Sequence, residues 1–146
     1  MVTKVQFYHN TPDRLALACE LVARAHAGGR QVAVRLPDGV QARKLDLMMW
    51  TSDPLAFLPH VSNNSPLAAE TPVVLGVPGS DTDWPHTDLL VNLAEDLPPG
   101  FDRFRMVVEI VGQAEAEKAP ARHRWMQYKA RELPLKAFDA ERRVAL

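Results

Sequence analysis

Lys4-Val-Gln-Phe-Tyr8 and Gln31-Val-Ala-Val-Arg35 bracket a segment in which Leu15, Ala18, Cys19, Val22 and Ala25 recur with a helical period, with Leu17 and Leu21 beside them. The flanking runs are short, apolar and rich in β-branched or aromatic residues, so they read as strands, and the segment between them reads as an amphipathic helix. Thr11 stands in the N-cap position with Pro12 at the first helical residue, and Gly28-Gly29 supplies a left-handed stop. Strand, helix and strand at this spacing form a right-handed crossover with parallel strands.

Working outward, a Pro37-Asp38-Gly39 turn precedes a second helix from Val40 to about Trp50, with Leu45, Met48 and Met49 on its inner side. Six of the twelve prolines fall between Thr51 and Thr87, so long regular elements are not expected there. One strand still fits that region, Val73-Val-Leu-Gly-Val77, and a second apolar run follows at Asp88-Leu-Leu-Val-Asn92, ahead of the Pro98-Pro99-Gly100 turn. Phe104 to Val111 is the strongest strand of the C-terminal half. Residues 114 to 130, rich in Ala, Glu, Lys, Arg and Gln, form a helix that Pro120 either starts or bends. Strands alternating with helices predict a three-layer α/β domain around a mostly parallel sheet, with residues 1–146 as one domain.

The 146 residues are 47% hydrophobic and 24% charged, enough for one core without disulfides. Cys19 is the only cysteine, which excludes an internal disulfide and a cysteine-based zinc site. No signal-peptide pattern and no run of 18 apolar residues is present, so a cytoplasmic protein with no membrane partner is expected. The net charge of -1 hides an asymmetry: from Lys118 to Arg143 eight basic residues face three acidic ones, leaving residues 1–117 acidic. A basic C-terminal segment on an acidic protein is either a solvated helix face or a patch for an acidic partner.

A nucleotide site is poorly supported, because the connection His9-Asn-Thr-Pro12 after the first strand lacks the glycines that let backbone N–H groups approach phosphates. No Walker-type sequence is present. The five histidines are dispersed without ligand spacing, Gly79-Ser80-Asp81 is not a nucleophile elbow, and Asp81, Asp83, Glu95 and Asp96 read as turn-forming acids. No catalytic residue, metal or cofactor is therefore expected.

Two features stand above this background. Trp50 and Phe57 flank a proline-fixed loop at the end of the second helix, as core or as a docking surface. On the last helix, Arg122, Trp125, Met126 and Lys129 share one side, with Tyr128 beside them. An apolar centre with cationic flanks suits an acidic peptide that ends in a hydrophobic residue. The alternative is weak, salt-sensitive binding of nucleic acid by the same helix, with Trp125 or Tyr128 stacking on bases.

Leu45-Asp with Trp50, Phe57-Leu-Pro-His60, Leu90-Val-Asn-Leu93, Glu109-Ile-Val111 and Ala121-Arg-His-Arg-Trp with Tyr128-Lys129 occur in an order and spacing that resembles the chi subunit of bacterial DNA polymerase III. The resemblance spans nearly the whole chain. It implies a Rossmann-like α/β fold without nucleotide chemistry, in a non-catalytic accessory subunit of the clamp-loader complex that contacts DNA only indirectly. In that family one surface binds the acidic C-terminal tail of the single-stranded-DNA-binding protein, which ends in a Phe carboxylate preceded by aspartates. Arg122, Trp125, Val111 and Lys118 fall on matching positions: Arg122 is expected to pair with carboxylates while Val111 and Trp125 line an apolar pocket. Met126 stands where some members place a lysine and Trp125 where some have tyrosine, with Lys129 or Arg124 near enough to supply charge. A second family surface, containing the positions of Trp50 and Phe57, binds the psi subunit or a helicase.

Overall fold

β1 (Lys4–Thr11), α1 (Arg14–Ala27) and β2 (Val32–Arg35) form the expected crossover in a computed structural model that describes residues 2–51 and 58–146. The N-cap is Asp13 rather than Thr11, its carboxylate accepting from the Ala16 N–H at 3.1 Å. β1 runs on through Thr11, whose hydroxyl is turned back to donate to the Tyr8 carbonyl at 3.2 Å and so cannot cap. At the other end the Gly28 N–H reaches the Arg24 and Ala25 carbonyls, and Gly29 takes the positive φ of +79°.

The remaining elements are α2 (Gly39–Thr51), β3 (His60–Ser62), β4 (Val73–Gly76), β5 (Leu89–Asn92), β6 (Met106–Gly112), α3 (Glu115–Ala130), β7 (Leu135–Asp139) and β8 (Val144–Ala145). They build one sheet in the order β3-β4-β2-β5-β6-β1-β7-β8, parallel throughout except for the β7–β8 pair. β1 and β2 are parallel but not neighbours, because β5 and β6 lie between them. β3, β7 and β8 lie outside the predicted strands. All three sit at the margins of the sheet, where few residues are buried and the apolar pattern is short. Pro120 lies within a continuous α3.

The interior strands are covered on both faces, which accounts for their near-continuous apolar runs. Ala18 and Val22 of α1 and Leu45 and Met49 of α2 pack with Val32, Val34, Val73, Val91, Val108 and Ile110. Met48, expected inside, is only half-buried. On the other face Ala121 and Tyr128 of α3 join Val5, Phe7, Val107 and Val111, with Phe101 and Phe104 from the loop before β6.

The connections place the site. β1 leads through α1 toward β2, and β6 leads through α3 across β1 to β7, so the two crossovers leave neighbouring strands in opposite directions and on opposite faces. The two crossovers pass over each other's strand, and the carboxyl ends of β1 and β6 lie side by side next to the start of α3.

Candidate functional site

The face beneath α3 carries a polar row that crosses three strands in register: Arg35 on β2 beside Asn92 on β5, and Asn92 beside Glu109 on β6. Glu109 is fully buried, and it accepts from Arg124 Nε at 3.0 Å, Asn92 Nδ2 at 2.9 Å and the Tyr128 hydroxyl at 2.7 Å. Burial pushes the Glu109 carboxyl above its ordinary value, while Arg124 and the hydrogen bonds from Tyr128 and Asn92 work against that rise. Burial also raises the Tyr128 phenol, and the neighbouring Glu109 carboxylate adds to the effect, so Tyr128 remains the donor. Arg35, 2% exposed, is held by Asp81 at 2.8 Å and Asp96 at 2.7 Å. Asp81 and Asp96 are thus ion-pair partners of a buried arginine rather than the turn acids they resemble in sequence.

This network fixes α3 to the sheet and corrects two expectations. Arg124 is engaged with Glu109 and the Glu95 carbonyl, so it supplies no charge to the surface. Tyr128 has no exposed area and cannot stack on a base. Glu117, in the first turn of α3, pairs with Arg14 at 3.0 Å and ties that end of the helix to α1.

At the carboxyl ends of β1 and β6 a cavity of about 220 Å³ opens between His9 and Asn10 of β1, Val111 of β6, and Lys118, Ala121 and Arg122 of α3. A bulge shapes its rim. Tyr8 pairs with Ile110 and Thr11 with Gly112, so β1 holds one residue more than β6 over that interval. Asn10 takes the extra residue at a φ of +57°, and its amide is fastened to Asp139 at 3.4 Å and Glu141 at 2.9 Å. The cavity has an apolar floor in Val111 and Ala121 and two cations at its mouth. Arg122 meets Glu115 at 3.1 Å, and both side chains are mostly exposed, at 67% and 74%. Such a pair is worth about 0.2–1 kcal/mol, little enough for an incoming carboxylate to displace it.

Val111, Lys118 and Arg122, which the family resemblance groups, line this one cavity. Trp125 lies one turn further on, half-buried, its ring edge-on to Phe7 at 5.1 Å and 6.3 Å from His9. Met126, 60% exposed, and Lys129 lie on the outer surface of α3. His9 and Asn10 escaped the sequence reading, since only the register of β1 against β6 brings them to the cavity.

Trp50 is 49% exposed at the end of α2, near His60 with ring centroids 4.7 Å apart. His60 Nδ1 donates to the Leu58 carbonyl at 2.7 Å, and Nε2 lies 2.9 Å from Asp46 but off the hydrogen-bond direction. Phe57 lies outside the described residues. Among the described residues no three His, Cys, Asp or Glu side chains cluster to hold a metal, and no helix is long and apolar enough to cross a membrane.

Fold and site together define a mostly parallel α/β protein that lacks a glycine-rich phosphate loop after β1 and holds a small apolar cavity with a cationic mouth between β1, β6 and α3. Residues 2–136 match the family described as "DNA polymerase III chi subunit, HolC", and the chain belongs to that family. It is 33% identical over 141 residues to the DNA polymerase III subunit chi of Pseudomonas aeruginosa, covering 92% of this chain and 94% of that relative. The subunits chi of Haemophilus influenzae and Escherichia coli K12 are 28% identical over 131 residues and 29% identical over 119 residues. These cover 87% and 77% of this chain, and 90% and 76% of the relatives.

Proposed function

We propose that this protein is a non-catalytic accessory subunit of a bacterial DNA polymerase III holoenzyme that links the clamp loader to single-stranded-DNA-binding protein. The cavity between β1, β6 and α3 takes that protein's acidic C-terminal tail. The observation behind this reading is the pairing of an apolar floor, Val111 and Ala121, with a mouth formed by Lys118 and Arg122. A terminal phenylalanine carboxylate has those two parts, a ring for the floor and an anion for the guanidinium. Trp125 walls the approach through its packing on Phe7 and His9. Lys129 draws the preceding aspartates along the helix, and the exposed thioether of Met126 offers an apolar contact to the uncharged residues of the tail. The non-catalytic reading is supported by the buried charges: Arg35, Glu109 and Arg124 are engaged with one another or with Asp81 and Asp96, as structural ion pairs are.

The second docking surface is centred on Trp50, with Phe57 beside it in sequence, and receives the psi subunit or a helicase. A tryptophan half exposed at a helix end is the type of residue that anchors such interfaces. Direct nucleic-acid binding loses its stacking platform with Tyr128 buried and Trp125 turned against Phe7.

Fluorescence anisotropy with a labelled acidic peptide ending in Ile-Pro-Phe tests the proposal. Binding is expected, with loss of the terminal Phe or the Arg122→Ala substitution weakening it at least about tenfold, the value of one charge-assisted hydrogen bond. Binding that ignores both changes, or binding of single-stranded DNA in place of the peptide, would exclude it.

A further inference from the structure

The mouth of the cavity includes a titratable side chain that the tail-docking reading does not use. Residues alternate across a strand, so Val5, Phe7 and His9 of β1 face α3 while Tyr8 faces α1. The His9 ring stacks on Phe7 at 5.5 Å and 17° and lines the cavity opposite Lys118 and Arg122. We propose that His9 is a proton-linked contact of this cavity, its imidazolium joining Lys118 and Arg122 around the carboxylates of a docked acidic peptide. This inference rests on the tail-docking reading and adds a residue and a pH dependence to it.

The charged groups around the ring give the direction of the effect. Lys118 and Arg122 on α3 line the same cavity. Asp139, at the end of β7, stands behind it and favours the charged form, but its carboxylate is already engaged by the Asn10 amide and the Arg142 N–H. Glu141 is likewise occupied by Asn10 and Gln113. From the remaining packed elements come Val111 of β6 and the Trp125 ring of α3, which carry no charge. Burial lowers the His9 imidazole below its ordinary value, and Asp139 offsets this only in part.

A peptide carboxylate in the cavity changes that balance. It gives the imidazolium an anionic partner of its own, so the bound protein holds the His9 proton more tightly than the free one. By linkage, protonation then favours binding by the same factor. The peptide's own aspartates and terminal carboxyl titrate near pH 4, so they remain ionised from about pH 8 to about pH 5.5 and contribute no slope there.

The test is anisotropy with an acidic peptide ending in phenylalanine, at about pH 8 and about pH 5.5 and constant ionic strength, with the wild type, His9→Gln and His9→Phe. His9→Phe keeps an aromatic ring on Phe7 while removing the titrating ring nitrogens. His123→Gln serves as a control, because His123 is exposed on α3 next to Arg122. The wild type and His123→Gln should bind roughly threefold to tenfold tighter at the lower pH, and both His9 variants should show a flat profile. In the unsubstituted protein, the His9 ring-proton NMR titration should move to higher pH on adding peptide. A flat wild-type profile, a slope that survives in both His9 variants, or an unmoved NMR midpoint would overturn the role of His9 while leaving tail docking intact. Absence of binding at both pH values would overturn tail docking, and this inference with it.

Discussion

Arg122 and Arg124 lie two residues apart on α3, and each meets a glutamate near 3 Å, yet they belong to different parts of the molecule. Arg124 and Glu109 are 5% and 0% exposed, and Glu109 has two further donors, so neither charge can reach water if the other is lost. Arg122 and Glu115 are 67% and 74% exposed, and water replaces either partner at almost no cost. One arginine holds the helix to the sheet; the other is presented by it. The contrast teaches that in this segment local charge says little, and the direction in which each side chain leaves the helix decides its role.

The sharpest way to break the comparison is to substitute the inner arginine. Arg124→Met leaves Glu109 buried without its cation, and chemical denaturation should show a loss of about 3–5 kcal/mol. Adding Glu109→Gln to that variant should recover part of the loss, since no uncompensated charge remains, and a double-mutant cycle measures the coupling. The outer arginine should behave in the opposite way. Arg122→Ala should leave unfolding within about 0.5 kcal/mol of the wild type while weakening the acidic peptide roughly tenfold to a hundredfold. Glu115→Gln sharpens the point, because it removes the residue that competes for Arg122. Peptide affinity should rise about twofold at low salt, an advantage that titration with salt should erase.

The smallest effect is expected at a pair of intermediate exposure, Arg30 and Asp88, at 34% and 28%. The hydrogen bond from Arg30 holds the Asp88 carboxyl below its ordinary value despite an opposing desolvation cost. A lowered carboxylate stabilises the fold above its unfolded pKa, near 3.9, and that stability is lost as pH falls through the lower folded value. Asp88→Asn should therefore cost a few tenths of a kcal/mol at neutral pH, and the difference from the wild type should vanish in strong acid. Thermal melts at several pH values read it directly.

The crossover from β1 to β2, the strands at residues 89–92 and 106–112, and the helix to Ala130 were legible because each buries a continuous or periodic apolar face. β7 was not, since Leu135-Lys-Ala-Phe-Asp139 is short, half-buried and carries charge, and its strand character comes from pairing with β1. Arg35 and Glu109 looked like ordinary polar positions within apolar runs. Their burial depends on Asp81, Asp96 and Arg124, which only the folded chain brings near. At the candidate site Arg122 could be read from helical spacing and Lys118 from a family resemblance. His9 and Asn10 could not, because a one-residue bulge in β1 brings them to the cavity, and register leaves no local mark in sequence.

The central claim, that the cavity between β1, β6 and α3 is where an acidic tail docks, is most directly tested by amide chemical-shift mapping on the isotope-labelled protein as the Phe-ending peptide is added. Shifts should concentrate on His9, Asn10, Val111, Lys118, Arg122 and Trp125, while Trp50 and His60 stay in place. Shifts centred on Trp50 and His60, or spread along the basic residues from Arg131 to Arg143 with the cavity silent, would contradict it.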